Sequence, residues 1–137
     1  MAVQLDARPH YTVLEAVAAA AVPGGAAFRF DQVPGDSGNP GVLPRLFATV
    51  RVSRRPVEAV RNSGTVSRSA WRVVVEGCGR TAFEAEGVLT VVTEALESQA
   101  FTIDGRVSTP FWCAASDEAD RSSDGYYVAT REWEYVV

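Results

Sequence analysis

The sequence predicts an α+β fold: a single domain over residues 1–137, with a mostly antiparallel β-sheet, one long hairpin and two helices packed on the sheet. Three observations carry this expectation. Leu46, Ala48, Val50 and Val52 alternate with Phe47, Thr49, Arg51 and Ser53, and Trp71, Val73 and Val75 alternate with Arg72, Val74 and Glu76, as in strands with one buried face. Ala85, Val88, Leu89, Val92, Ala95 and Leu96 instead recur at helical spacing along one stripe. A chain of 137 residues, 47% of them hydrophobic, is long enough for one domain that buries roughly two thirds of its unfolded surface.

In chain order, Tyr11 to Val22 reads as a helix with Val13, Leu14, Val17 and Ala21 near one face, Thr12 as its cap and Pro23-Gly24-Gly25 as its stop. A short strand is expected at Ala26 to Asp31, with Phe28 and Phe30 on one face. Residues 33–44, with three Pro and three Gly, form a long loop. The two alternating strands around 46–53 and 70–76 pair as a hairpin, joined by residues 54–69, about three times the usual connection length. The second helix runs from about Thr81 to Gln99, where Thr81 and Glu84 make a capping box. Phe101 to Ile103 is a brief strand ending in the turn signal Asp104-Gly105, and Val107 to Ala114 is another strand. Residues 116–125 read as an acidic polar loop, and Tyr126 to Val137 as the closing strand.

Charge is distributed unevenly. All 13 basic residues are Arg, consistent with codon bias in a chain rich in Ala, Gly and Val. Residues 1–44 hold two Arg against four acids, residues 45–80 eight against two, and residues 81–137 three against eleven. A nucleic-acid binder is usually basic overall, whereas this chain carries a net charge of -4. No sequence-specific nucleic-acid binding is therefore expected. Two outcomes of the layout are open: the charges mix into ordinary surface pairs, or one copy's basic face meets the next copy's acidic face in a ring-closing contact. The candidate contact residues are Arg45, Arg51, Arg54, Arg55, Arg61 and Arg68 on the basic side, and Asp117, Glu118, Asp120 and Asp124 on the acidic side.

Sites for chemistry are sparse. Gly77-Cys78-Gly79-Arg80-Thr81-Ala82 fits G-x-G-x-x-A between an apolar strand and a helix, with Asp104 ending the next strand, which outlines a dinucleotide-binding fingerprint. Only 33 residues follow Asp104, too few for a doubly wound sheet, so the glycines are read as a turn from strand to helix and nucleotide binding through Gly77 and Gly79 is a minor alternative. His10, the sole histidine, is expected at an exposed helix entry with no nucleophile or carboxylate to work with. Cys78 and Cys113 are too few for a disulfide framework and lack metal-ligand spacing, and a reducing compartment fits them. The acids at 117–124 lack calcium-loop spacing. No enzymatic activity, metal or cofactor is expected. No stretch approaches the roughly 18 apolar residues of a membrane span, and the N-terminus lacks the pattern of a signal peptide.

The order of elements resembles the tail-terminator family of long-tailed bacteriophages, small minor tail proteins. The resemblance lies in the N-terminal helix, the long hairpin from Leu46 to Glu76, the segment WRVVVEGCGRTAFEAEGVLTVVTEALES, the short strands of FTIDGRVSTPF and the ending DGYYVATREWEYVV, and it is fullest over residues 46–137. It implies an α+β domain that forms a homo-oligomeric, hexameric ring. Such a ring caps the tail tube by binding tail-tube protein, ends polymerisation, and turns its other face to the head connector protein. A location in the host cytoplasm during assembly and then in the virion tail follows. The alternative is another head-tail joining or minor tail protein of related fold. Residues 33–44 and 54–69 carry no motif of that family, so contacts assigned there rest on physical inference.

Overall fold

The computed structural model describes residues 6–34, 41–55, 69–121 and 125–137. Helix α1 spans Arg8–Ala21 and α2 spans Ala82–Leu96; the strands are β1 (Ala27–Arg29), β2 (Phe47–Arg54), β3 (Ala70–Gly79), β4 (Thr102–Ile103), β5 (Arg106–Val107), β6 (Trp112–Arg121) and β7 (Tyr127–Val136). Five strands form one sheet in the order β1-β2-β3-β7-β6, and β4 pairs with β5 in a separate ribbon. Every pair in the main sheet is antiparallel except β1–β2. The α+β expectation holds.

The core lies between one face of the sheet and the two helices. Strand alternation sends Ala48, Val50 and Val52 of β2, Trp71, Val73 and Val75 of β3, and Ala129, Trp133 and Tyr135 of β7 to that face, all of them buried. Helix α2 covers it with Ala85, Val88, Leu89, Val92 and Leu96. Its four larger apolar side chains each contribute about 1.5–3 kcal/mol by leaving water. The buried stripe of α1 is His10, Tyr11, Leu14 and Ala18, with the expected Val13, Val17 and Ala21 half-buried beside it. The helix begins three residues earlier than expected, with a proline in its first turn, which brings His10 into the stripe. Thr12 thus lies inside α1, where its hydroxyl donates to the Arg8 carbonyl and caps nothing.

The Gly77-x-Gly79 segment is strand and not turn. Gly77 pairs with Ala48 and Ala129, and Gly79 with Tyr127, so the chain reverses only at Arg80-Thr81. The glycines are there for the helix: a Cβ on Gly77 would lie 2.6 Å from the Ala85 carbonyl oxygen and 2.8 Å from the Leu89 nitrogen, and one on Gly79 would lie 2.6 Å from Glu84 Cβ. A side chain at either position would strike helix α2, which packs directly on this end of β3. The cap of α2 forms as expected on one side, with the Glu84 amide donating to Thr81 Oγ1 at 3.1 Å. The Glu84 carboxylate, however, reaches the Arg80 amide at 3.0 Å, one residue before the cap.

Two further expectations change. Residues 116–121 belong to β6, whose pairing with β7 continues through two register irregularities to Arg121, so Asp117, Glu118 and Asp120 lie on an edge strand and not in a loop. His10 is buried, 4% exposed, and not at an open helix entry. Its Nδ1 shares a 2.6 Å hydrogen bond with the Tyr135 hydroxyl and its ring sits 3.9 Å from that of Trp71, tying α1 to the centre of the sheet. Asp104 and Gly105 do turn the chain, both at positive φ (52° and 78°), between β4 and β5.

Candidate assembly surfaces

Among the described residues, the second face of the sheet carries no helix. One end of that face is closed by a small cluster of Phe47, Cys78 and Tyr126, packed under Ala26, Phe28, Val33 and Leu43. The rest bears a shallow hollow of about 430 Å³ lined by Phe30, Thr49, Arg51, Arg72, Glu76 and Glu132 among others. Its charges are largely satisfied within the subunit: Arg72 lies between Glu132 (3.7 Å) and Glu134 (3.6 Å), Thr49 donates to Glu76 at 2.9 Å, and Arg55 pairs with Glu134 at 3.1 Å.

Folding therefore brings part of the basic segment onto the acidic one. Arg45 pairs with Glu84 at 2.8 Å, and that hydrogen-bonded guanidinium holds the Glu84 carboxyl below its usual range. For Arg45 and Arg55, charge mixing inside the subunit prevails over segregation. Arg51 and Arg54 are different: both are exposed on β2 and neither is ion-paired among the described residues, Arg51 instead lying 4.9 Å over the Phe30 ring. Asp117 and Glu118 are likewise exposed on β6 and unpaired among the described residues, and Asp120 is exposed on the same strand. Arg61, Arg68 and Asp124 lie outside the described residues.

The two edges of the sheet are built unequally. On one side, three-residue β1 covers β2 only as far as Val50, to which Phe30 donates at 2.9 Å. The next outward backbone groups, the N–H and C=O of Val52, are both taken by the Tyr11 hydroxyl, at 2.9 and 3.2 Å. On the other side, β6 is ten residues long. Residues 97–99 bond only Phe111, the residue just before it, through the Ser98 amide to the Phe111 carbonyl and the Phe111 amide to the Gln99 carbonyl. Beyond that point no described element pairs with the outer side of β6.

Between α2 and β6 runs a groove of about 350 Å³, with Leu89 and Ala129 among its lining and the carboxylates of Glu86, Asp117 and Glu118 around it. Arg131 enters it, held by Thr93 Oγ1 at 2.9 Å and Ser116 Oγ at 3.3 Å, leaving three carboxylates against one guanidinium. Sequence reasoning missed Glu86 and Tyr11. A tyrosine that caps an edge strand from a helix about 40 residues earlier leaves no local signal, and Glu86 reads simply as a helix N-terminal acid.

Among the described residues, no group of three or more His, Cys, Asp or Glu side chains could hold a metal ion, and no helix is long and apolar enough to cross a membrane. Neither cysteine is in a disulfide; Cys78 is buried and Cys113 exposed. No protein-family model matches the chain, and no curated protein does. Among solved structures, the fold is similar to that of a chain in the virion of a native gene transfer agent particle, with a TM-score of 0.59 over 91% of this chain and 84% of that one, at 19% identity. The likeness is one of fold.

Proposed function

We propose that this protein is a structural component of a virion tail: it caps the tail tube as a homo-oligomeric ring of six, ends tube polymerisation and offers its other face to the head connector. The observation that carries the reading is the fold shared with a chain of a gene transfer agent virion across most of both chains. The order of elements that resembles tail terminators supports it, as does a sheet in which Tyr11 caps β2 at Val52 while no described strand pairs with the outer side of β6, an asymmetry a head-to-tail ring contact can use.

The test is assembly of tails with and without the protein, imaged by electron microscopy. Tubes of uncontrolled length in its absence, and a ring at the head-proximal end in its presence, are the expected results. Normal tube length without it refutes termination, and a ring found only at the distal tip, or only between head proteins, identifies another minor tail or joining protein instead.

A further inference from the structure

We infer that the open outer side of β6, with the groove beside it, is the socket for the Arg51–Arg54 stretch of β2 in a second copy of this chain. The inference rests on the ring reading above and names the contact that would build it. Within one subunit the two sets of charges cannot neutralise each other. Strands β3 and β7 stand between β2 and β6, so three strand spacings, about 14 Å, separate them. That exceeds both ion-pair range and the roughly 8 Å over which physiological salt screens exposed charges. Between copies the same charges can meet.

Cross-strand pairing also sets their height. Arg51 pairs with Val74, Val74 with Glu132 and Glu132 with Ala115, while Asp117 lies in the row of Thr49, Glu76 and Thr130. Asp117 is thus two residues along the strand from the level of Arg51, about 7 Å at 3.3 Å per residue. Arg51 and Asp117 thus present opposite charge at nearly one level on opposite sides of the sheet, whereas Arg54, in the row of Trp71 and Tyr135, stands five residues, about 17 Å, from the level of Asp117. The two surfaces differ, so the contact is heterologous, and it closes into a ring where the rotation between copies allows.

The edges assign the roles of donor and acceptor. The Tyr11 hydroxyl occupies the outward groups of Val52, so β2 offers side chains and no free ladder at that position. Strand β6 offers an edge that no described strand pairs with, exposed Trp112 at one end and Asp117 and Glu118 further along. An edge of this length on a lone subunit invites pairing with other chains, and covering it with a neighbour removes that hazard.

Two charge reversals test the contact in the full-length chain. Arg51→Glu with Arg54→Glu makes both edges acidic, and Asp117→Arg with Glu118→Arg makes both basic. Each variant alone is expected to associate at least tenfold more weakly than wild type in sedimentation velocity at low salt, and to lose tube capping. An equimolar mixture regains both, because acidic and basic edges then alternate. Glu94→Arg, on an exposed position of α2, controls for net charge and leaves assembly unchanged. Thermal melts matching wild type establish that the variants fold; should either fail, Asp117→Asn with Glu118→Gln gives the same loss without reversal.

Variants that assemble and cap as wild type does, or well-folded variants whose mixture fails to assemble, overturn this contact and leave the cap reading standing. A wild-type chain that neither associates nor caps tubes overturns both.

Discussion

Acid should destabilise this protein through His10. The imidazole is buried against Trp71 and Tyr135, and burial lowers its pKa from 6.5 to about 4, with Asp104 and Asp6 pulling only weakly the other way. In the unfolded chain the same ring titrates near 6.5. Between these values the unfolded state binds a proton that the folded state refuses, so stability rises with pH in that window and is lost as pH falls through it. The depression corresponds to about 3 kcal/mol, fully present above pH 6.5 and gone below about pH 4. Carboxylates also titrate there, so the informative quantity is a difference. His10→Gln keeps an amide able to bond Tyr135 but cannot titrate. Urea unfolding of both proteins from pH 8 to 3.5 should give a wild-type-minus-variant stability that is flat above pH 7, drops by about 3 kcal/mol toward pH 4 and then levels. Parallel profiles would show that the burial of His10 does not resist protonation, and would refute the reasoning.

Two other outcomes follow from the packing. Gly77→Ala places a methyl against the backbone of α2 at 2.6 and 2.8 Å and should cost about 1–3 kcal/mol by forcing helix and strand apart, whereas Gly87→Ala, with open space around its Cβ position, should gain about 0.5–1 kcal/mol from helix propensity. Denaturant midpoints that move in the same direction for both would contradict the close-packing account of Gly77. Tyr11→Phe strips the hydroxyl from both backbone groups of Val52 and should lower stability by about 1–3 kcal/mol and raise concentration-dependent aggregation, measurable by light scattering; unchanged scattering would mean that this edge needs no cap.

The parts of the fold that sequence makes legible are those where side-chain periodicity and burial coincide. Strand β3 from Trp71 to Glu76 and the second half of β7 alternate because one face is core, and α2 repeats at helical spacing because it lies on the core face. Strand β2 alternates only beyond Val50, since Phe47 and Thr49 are buried on its other face. Strand β6 is hidden for the opposite reason. Its sequence WCAASDEADR has no β-branched residue, and nearly all of its side chains with described burial are exposed, so alternation has nothing to record. What makes it a strand is pairing with β7, a non-local term no window of residues contains. The apolar pattern puts His10 outside the helix, whereas α1 starts three residues earlier and carries His10 one turn before buried Leu14, bonded to Tyr135, 125 positions away. The candidate charges show the same limit: composition separates basic from acidic segments, but only the register of β3 with β7 reveals that Arg72 meets Glu132 and Glu134 at home while Arg51 does not.

Adjacent residues of α1 decide which edge of the sheet is available. His10 fastens the helix to β7 through Tyr135, and Tyr11, in the same turn, closes the edge of β2 at Val52. Anchoring and capping are therefore coupled: whatever loosens the His10 contact also withdraws the Tyr11 hydroxyl from Val52. Among the described residues, a subunit with α1 docked offers β6 as its long strand without an outer partner, and undocking α1 adds the stretch of β2 at Val52. Acid and the Tyr11→Phe substitution should accordingly converge on one symptom, aggregation through β2, while the β6 edge is open in both states. The separation of a capped edge from an open one makes the Arg51–Arg54 contact with β6 directional, and that directionality rests on a helix at the far end of the sequence from β6.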